Sequence, residues 1–255
     1  MNVWNTYRNR ISSSGDSKRD VFLKREKRYI KQKSAETLSH YTVTIDGHPQ
    51  EVTILSSDLY NKKKIIAMPD EVITHGGLVF WNEHYWIITE KDYDNTLYSK
   101  GTMVQCNQLI KWVTDDREII ESYCVIEDGA QAGLGEESGS NAVITTGNSK
   151  IIMTLPKNNH TELINRGRRF FISNGGVSSP IPYQITKALK GTNIYQDEGV
   201  YLFVLEEDVQ TSFDSVDLQI ADYYKYFPKS TVVDPDFKEV IDIGNKDEYG
   251  GQVWL

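Results

Sequence analysis

From residue 40 to residue 127, apolar and polar positions alternate in short runs separated by turn residues. Tyr41, Val43 and Ile45 lead to Asp46 and Gly47, and Val52 and Ile54 follow a short polar loop holding Pro49. Asp-Gly supplies the positive φ angles of a tight hairpin, so this stretch reads as two paired strands. Further short runs follow at 64–67, 77–81 and 85–89, with Asn82, Glu83 and His84 as a tight turn between the last two. Residues 101–113 alternate again, and a turn at 114–117 leads into 119–126. Strands this short and this regularly punctuated predict a small antiparallel barrel or sandwich over 40–127.

The same pattern then recurs in the same order. Lys64-Ile65-Ile66-Ala67-Met68-Pro69 is echoed by 150–156, Gly77–Trp81 by 167–171, Tyr85–Lys91 by 183–187 and Gly101–Val104 by 199–202. The length differences fall in turns, which is what a duplicated unit produces. The fold expected is mainly β: two small antiparallel β-barrel or sandwich domains, 40–127 and 149–228. Between them, residues 128–148 have the Gly, Ser and acidic composition of a linker, with Ala142–Thr145 as a short edge strand inside it.

Both ends differ from the barrels. In residues 1–39 the period is helical: Ser17 and Asp20 fit a capping box, and a helix is expected from about 18 to 37. Phe22, Leu23, Tyr29 and Ile30 recur at a heptad interval as one narrow stripe, so this arm needs a surface to lie on. Near the other end, 218–224 reads as a short helix or a final strand. The aromatics Tyr223, Tyr224, Tyr226 and Phe227 cluster before Pro228. Residues 229–255 are acidic and poor in apolar groups until Val253, Trp254 and Leu255, and read as an extended tail.

Charge sharpens this division. Residues 1–34 carry ten Lys/Arg against Asp16, Asp20 and Glu26, a balance of +7; with a total of −8, the rest carries −15. A cationic arm on an acidic body orients the chain toward an acidic partner, either protein or nucleic acid. No run is long and apolar enough to span a bilayer, the first twenty residues lack a secretory apolar core, and no membrane partner is expected. Cys106 and Cys124 read as reduced, buried thiols of a protein folded in the cytoplasm.

Reactive constellations are hard to find. The five histidines lack metal-ligand spacing, and His75 and His84, flanking a hairpin, read as surface turn residues. The Gly-rich run 133–139 lacks a phosphate-binding lysine, and Asp92–Asn95 lacks the Gly and Glu of a calcium loop. Glu206, Glu207 and Asp208 read as a solvated strand end that blocks further pairing. The expectation is no enzyme, no cofactor and no metal. Exposed aromatics on a β surface point instead to protein contacts. The interface candidates are Arg8, Arg10, Lys24, Arg25, Lys27, Arg28 and Lys31 on the arm, Trp81 and Tyr85 on the first barrel, Tyr223, Tyr224, Tyr226 and Phe227 after the second, and Trp254 in the tail.

The run IIAMPDEVITHGGLVFWNEHYWIITE (65–90) resembles head-closure or stopper-type proteins of tailed bacteriophages. Tyr7–Arg10, Cys106–Trp112 and Ile220–Tyr224 are similar to stretches in virion proteins of Firmicutes siphophages and prophages. The resemblance implies a neck component, assembled in the host cytoplasm and located in the virion. It would form a homo-oligomeric ring around the DNA channel, joining portal or adaptor to tail proteins, with non-specific contact to packaged DNA. Members of the simplest kind have one barrel and a channel-plugging loop, so a doubled chain departs from their pattern. Two alternatives stand beside it: a nucleic-acid-binding barrel, with arm and aromatics gripping a strand, and another tail or baseplate component.

Overall fold

The computed structural model describes residues 4, 7, 17–128, 150–173, 180–228, 230–233 and 240–243, the last two stretches as backbone only. The arm forms α1 (Lys18–Ala35), started by the expected capping box: the Ser17 hydroxyl accepts from the Asp20 N–H, and the Asp20 carboxylate accepts from the Ser17 N–H. The first barrel consists of β1 (His40–Ile45), β2 (His48–Ser56), β3 (Lys62–Ala67), β4 (Leu78–Trp81), β5 (His84–Asp92) and β6 (Lys100–Gln105). It closes in the order β1-β2-β3-β6-β5-β4, with β4 pairing back onto β1 through Ile45 and Val79. Its two shortest turns, Asp46-Gly47 and Asn82-Glu83, place both residues at positive φ, which matches the twist of the strands they join. Pro49 lies inside β2, opposite Thr44, so the loop expected around it is part of the strand.

The second barrel draws on β7 (Gln108–Val113), β8 (Ile119–Asp128), β9 (Lys150–Pro156), β10 (Arg169–Ile172), β11 (Ile181–Leu189) and β13 (Glu198–Glu207), with β12 (Ile194–Tyr195) paired to β13 at one side. The short helix α2 (Asn159–Glu162) bridges β9 and β10. The strand order is β7-β8-β9-β13-β11-β10, the first barrel's order repeated strand for strand.

This corrects the expected division of the chain. Residues 108–128 belong to the second barrel, and the first ends at Gln105. The chain crosses between barrels at Cys106 and Asn107. The Asn107 side chain donates to the Ile126 carbonyl at 2.7 Å and accepts from the Ile126 N–H at 2.8 Å. A side-chain amide thus stands in for one ladder step while the backbone changes sheets. Alternation runs unbroken through this crossing, which is why the pattern hides it. The linker expected at 128–148 falls almost wholly outside the described residues, as does the edge strand at 142–145. The strands on either side of it, β8 and β9, pair with each other, so it connects neighbours within one barrel.

The duplication extends to fine detail. β5 has a register shift between Ile88 and Glu90, and β11 has one between Ile185 and Lys187. Ile88 exchanges backbone hydrogen bonds with Gly76 and Gly77, and Ile185 with Gly167 and Arg168. Gly76 and Gly167 have φ of +84° and +89°. Taken through the ladders, Val79, Trp86, Ile88 and Met103 in one core correspond to Phe170, Tyr183, Ile185 and Leu205 in the other, all buried.

One difference follows from side-chain size. Where Ile45 and Val79 sit in register, the second barrel has Trp112 and Phe170, packed edge to face with centroids 6.0 Å apart. The larger pair holds β7 and β10 apart, and side chains bridge the seam: Gln108 donates to the Ser173 carbonyl at 2.8 Å, and the Arg168 guanidinium to the Val113 carbonyl. After β13, the chain runs through 208–222 to α3 (Tyr223–Tyr226). In the tail, β14 (Ser230–Val233) and β15 (Val240–Ile243) pair with each other.

Candidate functional site at the joint and along the arm

The two barrels meet through an apolar cluster separate from either core: Ile87 and Val104 on the outside of the first, Val125 and Val200 on the outside of the second. Tyr85 lies flat on Tyr123 at one side, ring centroids 3.8 Å apart and planes 17° from parallel. Gly76 comes so close to Gly199 that a Cβ would stand 2.0 Å from the Gly199 carbonyl oxygen.

Beside this cluster opens a cleft of about 500 Å³, lined by His75, Lys91 and Tyr93 of the first barrel and Asn193, Tyr195 and Val200 of the second. His75 is 3% exposed, which corrects the expectation of a surface turn residue. The bulge at Thr89 explains why it is buried: it leaves the Thr89 carbonyl outside the ladder, and His75 Nε2 lies 2.9 Å from that oxygen. A carbonyl only accepts, so Nε2 carries the proton and Nδ1 accepts from the Tyr93 hydroxyl at 3.2 Å. The ring stacks on Tyr195 across the joint, at 5.8 Å between centroids. Burial holds the imidazole below its ordinary range, against the opposing pull of the Thr89 carbonyl and the Glu198 carboxylate.

Glu198 ties the joint further. One of its oxygens accepts from the His75 N–H at 3.1 Å and from Lys91 Nζ at 2.7 Å. The cleft therefore presents a neutral imidazole with both nitrogens engaged and an ammonium already paired. Burial pushes the Cys106 thiol up to about 12 and Cys124 well above its ordinary value, so neither is a poised thiolate. Among the described residues, no three His, Cys, Asp or Glu side chains gather to hold a metal ion. This arrangement suits holding two barrels at a fixed angle.

The second charged group is Arg169, on β10. Its guanidinium is nearly buried and bonds Asp208 at 2.6 Å, Asp214 at 2.7 Å and Asp222 at 2.9 Å, and also the Val209 carbonyl. Asp208, expected on a solvated strand end, instead belongs to this cluster, and Glu206 pairs with Lys150 at 3.2 Å. Burial raises the Asp214 carboxyl, but Arg169 and the N–H groups of Asp222 and Thr211 outweigh it and hold it below the ordinary range. The sequence offered little hint of this cluster, because its members span 53 positions.

The interface candidates divide by location. Lys24, Arg25 and Arg28 are exposed on α1 and form no ion pair among the described residues, whereas Lys27 and Lys31 both bond Asp70, at 2.8 and 3.2 Å. α1 buries no residue fully; Leu23 and Ile30 are half-buried, while Phe22 and Tyr29 are 62% and 57% exposed. The expected single stripe is thus split into an inward and an outward pair.

Trp81 packs between Tyr41 and Trp86, and Tyr85 is taken up by the joint. Tyr223 packs on Tyr224 and Phe227, and Tyr226 accepts from Arg168 at 2.8 Å and reaches Asp115 at 3.2 Å, so this group covers one end of the barrel seam. Arg8, Arg10 and Trp254 lie outside the described residues.

Comparison with known proteins adds a partial match. Residues 5–105 match the family described as the YomX N-terminal domain, which is associated with phages and prophages. That stretch is less than half of the 255 residues, and it ends where the first barrel ends, at Gln105. The match supports a phage origin for the chain. No curated protein matches. Among solved structures, MrkH, titled a novel c-di-GMP dependence transcription regulatory factor, is 8% identical with a TM-score of 0.24, over 74% of this chain and 85% of that one. A likeness that small supports no inference about this chain.

Proposed function

We propose that this chain is a non-catalytic structural phage protein that assembles with copies of itself and with its neighbours, as part of the ring that joins the head to the tail. The observation that carries this reading is the arm. α1 holds eight Lys/Arg against Asp20 and Glu26, a balance of +6, and rests on its own barrel through Asp70 with Phe22 and Tyr29 turned outward. The remaining body is acidic. A cationic helix with exposed aromatics on an acidic body suits docking onto the next copy, where charge sets register and the aromatics supply area.

The stiff joint supports the same reading, since a ring subunit has to hold its shape under load. The resemblance of 65–90 to head-closure proteins and the phage-associated match over 5–105 point in the same direction. In this reading the chain surrounds the DNA channel between portal or adaptor and tail, located in the virion after assembly in the host cytoplasm.

Electron microscopy of the purified full-length protein tests this directly. Closed rings, or rings formed on adding the portal complex, are the expected result. Particles that stay single under both conditions would overturn it. The cationic arm also favours a second reading, strand binding by a nucleic-acid module. That reading predicts affinity for single- or double-stranded DNA that falls steeply with salt, and no binding at low salt excludes it.

A further inference from the structure

The strand ladders place one cross-strand row at the same location in each barrel. In the first it runs Leu78, Ile87, Val104, Lys62, and its apolar part meets the second barrel. In the second the row reads Arg169, Gln184, Glu206, Lys150. Every apolar member of the docking row is replaced by a polar or charged one, while the lysine is kept. Lys62 faces Val104, whereas Lys150 faces Glu206 and pairs with it.

We propose that this face of the second barrel is a blocked copy of the docking face of the first, and that residues 208–222 cap its β10 end. Barrels related by duplication share the means to stack head to tail, and such a stack continues unless its last face is made polar or covered. Here both devices are present. Gln184 and the Glu206–Lys150 pair keep the middle of the row hydrated. At the β10 end, Arg169 stands where Leu78 stands in the first barrel, and it is gripped from above by Asp208, Thr211, Asp214 and Asp222. The Asp208 N–H bonds the Pro182 carbonyl, and the Asp222 and Thr211 N–H groups bond Asp214, so the covering segment is fastened at several points. The internal barrel contact is therefore used once per chain and cannot be extended by a further copy. The inference stands independently of the phage reading.

The test uses the full-length chain. The variant R169L/Q184I/E206V restores the apolar row. With folding verified by circular dichroism and a cooperative melt, it should self-associate at concentrations at least tenfold lower than wild type, with new protection from hydrogen exchange in β11 and β13. Association unchanged from wild type would overturn the proposal. Should that variant fail to fold, Q184C in the otherwise native chain decides, because the thiols of Cys106 and Cys124 are held protonated by burial. The rate at which a maleimide labels Q184C should be the same in dilute and concentrated protein. A tenfold slowing on concentration would show the face in use and contradict the cap.

Discussion

Tyr85 of the first barrel and Tyr123 of the second lie face to face, centroids 3.8 Å apart, and this pair closes one side of the joint. Offset-stacked and edge-to-face aromatic pairs contribute about 0.5–1.5 kcal/mol beyond the area they bury, and a face-to-face pair lies at the low end because the ring quadrupoles oppose it. A double-mutant cycle with Tyr85→Ala and Tyr123→Ala should therefore return a coupling of about 0.5 kcal/mol in urea unfolding. Additive single effects would show that the barrels are not held by this contact.

Gly76 and Gly167 hold the same position in the two repeats with nearly the same φ, but their surroundings differ. A Cβ at Gly167 meets nothing within 4 Å, whereas one at Gly76 collides with the Gly199 backbone. Gly167→Ala should cost about 1–2 kcal/mol, the cost of an L-residue in the left-handed region. Gly76→Ala should cost clearly more, because the barrels must separate to admit the methyl group. Equal losses in chemical denaturation would mean that the barrels do not approach as closely as described.

His75 makes the joint sensitive to mild acid. Its imidazole is held below the ordinary 6.5, so the unfolded chain takes up a proton first as pH falls. The stabilisation is fully present above 6.5 and is lost as pH drops from there through the lower folded value. The melting temperature should fall between about pH 7 and pH 5 by more in wild type than in His75→Gln, whose side chain does not titrate. Parallel curves for the two proteins would remove His75 from the joint's pH response.

Removing Arg169 leaves three carboxylates facing one another. Arg169→Met should destabilise the chain by about 3–5 kcal/mol, the usual cost of stripping one partner from a buried ionic group. The carboxyl of Asp214 lies below its ordinary range, so its contribution is present above an ordinary carboxylate pKa and lost only as pH falls through the lower folded value. Asp214→Asn should blunt the acid unfolding in that window. A wild-type acid transition in the Asn variant would show that Asp214 does not report on the cluster.

What the sequence revealed and what it hid both follow from the period of a strand. Alternation marks which side of a strand is buried, and the order of the repeated segments matched the observed strand order. It does not fix register, because a shift of two residues keeps every side chain on its face. The echo of Lys64 at Lys150 is such a shift: through the ladders, Ile65 corresponds to Met153 and not to Ile151. The crossing at Asn107 was hidden for the same reason, since β6 and β7 continue one alternating run. The Arg169 cluster and the burial of His75 rest on contacts between distant positions, and no local pattern encodes those. The arm was the most legible part, because helix capping and charge are local properties, although only the structure separates Leu23 and Ile30 from the outward Phe22 and Tyr29.

Mass photometry of the full-length protein beside a form lacking residues 1–34, over a range of concentrations, tests most directly whether the arm drives assembly. The full chain should give discrete multiples of the 29.2 kDa chain mass that grow with concentration, and the shortened form only single chains. A full chain that remains single throughout, with the portal complex added as well as alone, or multiples that survive loss of the arm, would contradict the account.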